Sequence, residues 1–246
     1  MKLNCDLGES YGSWTMGQDD QVMPLIDMAN VACGFHASDP NIMHDTVVLA
    51  AKYGVSIGAH PSYQDLQGFG RRSIPHSAAQ VRALIWYQLG ALEGICRAEN
   101  QRLAYVKPHG ALNNDMIRDP QLLEVVMEAI ATYQQGLPLM IPVSLDYPAH
   151  RRLAERCGVP LIFEAFADRA YDDTGRLVSR REPGAVHQEQ EQIVDQALSF
   201  AQRGGVHSIT GHWLELPAES LCVHGDGDHA LAAVRAIRAA LTKPAP

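Results

Sequence analysis

Several things are scarce in these 246 residues, and each scarcity removes a class of function. The five cysteines, Cys5, Cys33, Cys96, Cys157 and Cys222, are scattered and odd in number. No two share metal-ligand spacing and they make no full disulfide framework, so a reducing compartment is expected. Nothing approaches the roughly 18 consecutive apolar residues of a spanning helix. The start, MKLNCDLGES, lacks the apolar stretch of a secretory signal, and a cytoplasmic location is expected. Basic residues do not dominate: 20 Lys and Arg stand against 28 Asp and Glu, a formal charge of -8. A nucleic-acid footprint and a polybasic membrane patch are therefore missing. Walker-type phosphate loops and GxGxxG are absent as well, so the sequence alone announces no nucleotide site.

What the chain does have is 46% hydrophobic and 20% charged residues, ordinary globular composition, in a repeating order. Short apolar runs at Lys2–Cys5, Met28–Cys33, Val55–Ala59, Leu103–Val106, Leu137–Val143, Val159–Phe163 and Leu221–His224 read as strands. Helical periodicity lies between them, over Pro40–Tyr53, Ser77–Asn100, Pro120–Gln134, Pro148–Cys157, Gln188–Arg203 and Asp228–Leu241. Asp39, Pro40 and Gly54 supply an N-cap, a first-turn proline and a terminating glycine to the first of these. Strand–helix alternation predicts a parallel sheet covered by helices, and seven strands can close into a TIM-like (β/α) barrel. Residues 1–246 are expected to form one domain. The polar stretch Ala165–Val186 is expected to cross the barrel mouth, and Val206–Leu216 to form a short hairpin.

Ionisable residues gather at the C-terminal ends of these strands, where α/β barrels carry their chemistry. The first strand leads to Asp6 and Glu9, the second to His36 and the third to His60. The fourth leads to Lys107 and His109, the sixth to Glu164, Asp168 and Arg169, and the last to His224 and Asp226. Each alone is an ordinary loop residue; together they suggest one acid–base site. Arg71 and Arg72 could clamp a carboxylate or phosphate, or form a solvated turn. His44, His76, His150, His187, His207 and His229 fall on helices or exposed segments and are read as structural. Cys5 and Cys33 have no adjacent base and are read as buried thiols.

The runs LNCDLGESYG, ANVACGFHASDPNIM, GVSIGAHPSYQDLQGFGRR, YVKPHGALNND, EAFADRAYDDTGRLVSRREPGAV and LCVHGD resemble the A subunit of bacterial ATP-dependent 5-oxoprolinases, the LamB/YcsF family, from Met1 to about Asp226. The chain departs from that pattern at Asn113, where an aromatic residue is expected, and across Met140–Ser144. The resemblance implies a distorted seven-stranded (β/α) barrel related to the glycoside hydrolase and deacetylase superfamily. It implies partner subunits B and C, and opening of the lactam of 5-oxo-L-proline to L-glutamate with hydrolysis of ATP. On it, Asp6, Glu9, His60, Lys107 and His109 are the expected catalytic residues. His36, Arg71, Asp168, Arg169, His224 and Asp226 are the expected substrate-binding residues. Two other readings stay open: a metal-dependent deacetylase-like hydrolase, with a divalent ion on Asp6, His36 and His60, and a subunit that binds substrate without catalysing.

Overall fold

The computed structural model describes residues 1–223 and 228–242, with the side chains of 228–230 also outside the description. Seven strands close a barrel in which every neighbouring pair is parallel. They are β1 (Lys2–Leu7), β2 (Met28–Ala32), β3 (Ser56–His60), β4 (Leu103–Val106), β5 (Leu139–Pro142), β6 (Leu161–Phe166) and, after an antiparallel hairpin of β7 (Gly205–His207) and β8 (Trp213–Glu215), β9 (Ser220–Cys222). β9 pairs with both β6 and β1 and closes the ring. The helices are α1 (Asp19–Val22), α2 (Pro40–Tyr53), α3 (Ala78–Ala98), α4 (Gly110–Arg118), α5 (Pro120–Tyr133), α6 (Tyr147–Cys157), α7 (Gln190–Leu198) and α8 (Asp228–Thr242).

Local chemistry accounts for the helix limits. Asp39 accepts from the amides of Asn41 and Ile42, Pro40 occupies the first turn, and Gly54 ends α2 at φ 68°. Ser77 and Gln80 form a reciprocal capping box on α3. α4 is a helix that periodicity does not announce, because Asn113, Asn114 and Asp115 interrupt its short apolar stripe of Ala111, Leu112 and Met116. One residue, Asp119, ends α4 and caps α5.

The main apolar core lies between strands and helices, where Leu3, Val31, Ile57, Val106, Ile141 and Phe163 are buried. The barrel interior is different. Strand alternation sends every second residue inward, and these include Asn4 and Asp6, Met28 and Asn30, Gly58 and His60, Tyr105 and Lys107. Met28, Tyr105 and Met140 form a small separate apolar plug. Above it the inward residues turn polar: Asn4, Asn30, Ser220, Lys107 and Glu164 are all buried. Gly58 makes room for the Tyr105 ring, since a Cβ built there would overlap it. Gly58→Ala should therefore displace the ring and cost about 1–3 kcal/mol. Chemical denaturation measures this, and an unchanged midpoint would show that the plug yields freely.

Of the segment expected to cross the mouth, Ala165 and Phe166 still belong to β6, and residues 177–181 line the cavity there. Arg169 bridges Val186, and its guanidinium donates to the carbonyls of Val178 at 2.6 Å and Ala185 at 3.3 Å. Among the described residues no helix is long and apolar enough to cross a membrane.

Candidate active site at the barrel mouth

Lys107 leaves the end of β4 with its ammonium buried among four partners. Nζ lies 2.9 Å from Asp6 Oδ1, 2.7 Å from Glu164 Oε1, 3.2 Å from Asn4 Oδ1 and 3.4 Å from Cys222 Sγ. Asn30 braces the same carboxylate, donating to Asp6 Oδ1 at 2.7 Å and to Asn4 Oδ1 at 2.8 Å. Tyr105 donates to Asn30 Oδ1, and Asn4 donates to Ser220. One connected network thus fixes Asp6 from below, as a buried polar group requires.

The charges follow from this packing. Burial would raise the Asp6 carboxyl, but His60 and Lys107 outweigh it and hold it well below the usual carboxylate range. Burial would lower the Lys107 ammonium, yet Asp6, Cys222 and Glu164 keep it well above its ordinary value. Each partner thereby favours the charged form of the other. Glu9 is the contrast: burial, aided by the Asp6 charge, pushes its carboxyl up to about 7. A split between two neighbouring carboxylates separates a fixed charge from a group able to exchange protons near neutrality.

Three imidazoles pack beside Asp6, two of them on the cavity floor. His60 lies 3.3 Å from Asp6 Oδ2 through Nε2, while its Nδ1 donates to the Lys107 carbonyl at 2.6 Å. His109 Nδ1 is 2.9 Å from His60 Nε2, and His109 Nε2 donates to the Phe69 carbonyl at 2.9 Å. His36 stacks flat on His109, with centroids 3.8 Å apart, and its Nε2 lies 3.0 Å from Glu9 Oε1. Burial depresses both His36 and His109 well below the ordinary histidine value. Phe69 reaches its position at φ 54°, a left-handed conformation costing a non-glycine residue on the order of 1–3 kcal/mol. Gly70 follows at φ 63°, where a Cβ would strike His109 and His36. The loop after β3 is shaped to bring a carbonyl against His109.

Above this floor is a cavity of about 470 Å³. Asp6, His60, Lys107, His109 and Glu164 line it below, and Arg71, Arg118, Arg180 and Arg181 rim it. Its contents are chemically divided: carboxylates, imidazoles and the Lys107 ammonium at the bottom, guanidinium groups at the top. Asn113, the departure from the family pattern, makes part of the wall polar.

The structure brings Asp6, His60, Lys107 and His109 into this one cavity and sets Glu9 and His36 against their far side. The ligand atoms of Glu9, His36, His60 and His109 all lie within 4.8 Å of one another, a group that could hold a metal ion. That set differs from the expected Asp6, His36 and His60. Arg71 stands exposed at the rim, also lining a neighbouring cavity of about 570 Å³ with Asp168 and Arg180. Asp168 thus opens onto the second cavity. Arg169 also lines the 470 Å³ cavity, and its guanidinium donates to the backbone of the mouth-crossing segment. His224, Asp226 and the His229 side chain lie outside the described residues. The other histidines are apart: His44 pairs with Glu99 on the surface, and His76 stacks on Tyr63. Burial raises the Cys33 thiol to about 12, leaving it inert as expected. Sequence reading gave Asn30, Tyr105 and Ser220 no role. The inward alternation of Asn30 within an otherwise apolar strand was the available signal.

Comparison with known proteins agrees over nearly the whole chain. The LamB/YcsF family model matches residues 1–245. A protein of Chromohalobacter salexigens, named as the A subunit of 5-oxoprolinase, is 60% identical over 96% of this chain and 94% of its own length. A protein of the same name from Pseudomonas fluorescens is 55% identical over 98% of this chain and 96% of its own. Among solved structures, the lactam utilization protein from Thermus thermophilus superposes with a TM-score of 0.91 at 38% identity, covering 98% of this chain and 95% of that one. The chain belongs to the LamB/YcsF family.

Proposed function

We propose that this chain is the ring-opening subunit of an ATP-dependent 5-oxoprolinase, a hydrolase of a cyclic amide C–N bond. The observation that carries the reading is the divided cavity, with an arginine rim over a carboxylate–imidazole floor. 5-Oxo-L-proline is a small anion with a reluctant electrophile, and these are the two things such a cavity addresses. Guanidinium forks suit its carboxylate and a transferred phosphate. The floor suits deprotonation of water and protonation of a leaving nitrogen. The names of the two close relatives and of the Thermus thermophilus protein support the same substrate class.

A lactam resists water, and ATP supplies the activation. Transfer of the γ-phosphoryl group to the amide oxygen releases ADP and makes the ring carbon attackable. Water then adds to that carbon, losing a proton at the floor. The C–N bond breaks as the nitrogen takes a proton, and the acyl phosphate left behind yields glutamate and phosphate with a second water. In this scheme Asp6 stays ionised and orients the water, and Lys107 with Asn30 keeps it in place. Subunits B and C supply the phosphorylated ring, so ATP serves as co-substrate of the complex. The acid–base inventory of the floor favours a catalytic chain over one that only binds, because recognition of a small carboxylate needs cations and backbone donors alone.

The rim gives a direct test. In the assembled complex, Arg71→Glu should lower kcat/KM for 5-oxo-L-proline at least tenfold, about 1.4 kcal/mol. Arg180→Glu or Arg181→Glu, farther out on the mouth-crossing segment, should weaken assembly of the complex in sedimentation. If all three variants assemble and turn over substrate as the wild type does, the rim has neither role.

A further inference from the structure

The two imidazoles at the cavity floor present an unbalanced pair of atoms. His60 gives its Nδ1–H to the Lys107 carbonyl and His109 gives its Nε2–H to the Phe69 carbonyl. Carbonyls only accept, so each contact fixes a tautomer. The remaining nitrogens, His60 Nε2 and His109 Nδ1, are then bare lone pairs facing each other at 2.9 Å. Carboxylate oxygens close in on the same point: Glu9 Oε1 lies 3.8 Å from His109 Nδ1 and Asp6 Oδ2 lies 3.3 Å from His60 Nε2. With both imidazoles neutral, acceptors converge there without a donor between them, an arrangement that a bound cation satisfies.

We propose that His60 Nε2, His109 Nδ1 and Glu9 Oε1 bind one divalent transition-metal ion of the zinc class. With metal–ligand bonds of about 2.0–2.1 Å, ligand atoms of a tetrahedral site stand about 3.4 Å apart, and the observed 2.9 and 3.8 Å bracket that value. The two rings meet at 79°, which lets one ion lie in both ring planes. His36 is excluded as a simultaneous ligand with His109, because their planes are parallel within 6° at 3.8 Å and no ion can lie in both. His36 instead holds Glu9 through its Nε2 at 3.0 Å. Ligand histidines that donate their other N–H to a carbonyl, and a ligand carboxylate held by a neighbour, are the outer supports of metal sites. Imidazole and carboxylate donors together select zinc, manganese, iron or cobalt over magnesium or calcium. His60 and His109 also line the cavity, so the site adjoins the substrate space.

The site is independent of the lactam reading, because its readout is bound metal and not turnover. Untagged chain stripped with chelator is dialysed against micromolar Zn²⁺ and analysed for metal. One equivalent per chain is expected for the wild type, with at least a hundredfold weaker binding in Glu9→Gln and His109→Gln. His36→Gln should bind about ten- to a hundredfold more weakly, as loss of an outer support does. Should a variant fail to fold, imidazole ¹⁵N spectra of wild-type protein decide: Zn²⁺ should shift His60 Nε2 and His109 Nδ1 and leave His44 unmoved. Absence of stoichiometric binding to the wild type, or undiminished binding in folded Glu9→Gln and His109→Gln, overturns the proposal.

Discussion

Lys107→Met is expected to destabilise the chain by about 3–5 kcal/mol and to reduce turnover of the assembled complex by about 10²–10³-fold. The ammonium is the cation within reach of two carboxylates, Asp6 at 2.9 Å and Glu164 at 2.7 Å, and Glu164 is only 1% exposed. Removing it leaves like charges facing each other in a protein interior. Methionine fills much of the lysine stem's volume, so a cavity contributes little and the electrostatic loss dominates. A second substitution separates this from simple misfolding. Adding Glu164→Gln to Lys107→Met removes one of the stranded charges and should restore about 0.5–3 kcal/mol through coupling of the pair. Turnover should not recover, because Asp6 has still lost its anchor. Strictly additive effects of the two substitutions on denaturant midpoints would show that Lys107 and Glu164 do not act on each other.

Asp6→Asn should lower ring opening by about 10²–10⁴-fold while leaving the fold in place. The amide can keep the hydrogen bonds beneath it: its oxygen still accepts from Asn30 and Lys107, which reach Asp6 Oδ1 at 2.7 and 2.9 Å. Its NH₂ then stands where Oδ2 was, 3.3 Å from His60 Nε2, and donates to that lone pair. The substitution removes the fixed negative charge and ties up the imidazole at a small structural cost. Circular dichroism and a thermal midpoint close to wild type, together with the lost glutamate formation, are the expected pair of results. Wild-type turnover in this variant would take Asp6 out of the chemistry.

Much of the fold was legible because its signals are local. Asp39, Pro40 and Gly54 mark both ends of α2 from chemistry within a turn of the chain. The apolar runs place the seven strands, and the strand-end rule sets the height of Asp6, His60, Lys107 and His109 in the barrel. Height is not direction. Whether a loop side chain turns to the axis or away depends on backbone torsions that sequence pattern does not report. Glu9 and His36 accordingly stand behind the cavity wall, and Asp168 faces a second cavity. Arg169 was legible as a charge at the mouth, but its partners are the carbonyls of Val178 and Ala185, and any residue type carries those. Helix α4 was hidden because three polar residues broke its stripe. The polar interior was hidden for a related reason: Asn30, alone between apolar neighbours, reads as a blemish in a strand until Asn4 and Tyr105 are seen bonded to it.

The measurement that bears most directly on the proposed role is ATP-coupled glutamate release from 5-oxo-L-proline with each component of the reconstituted enzyme omitted in turn. Isolated chain supplied with ATP should release negligible glutamate, since positioned acid–base groups alone rarely overcome the barrier of an unactivated amide. Partner subunits without this chain should likewise form none, and the complete set should couple glutamate to ATP hydrolysis. Full glutamate release by the partners alone would contradict the proposed role, for the ring would then be opened outside this barrel.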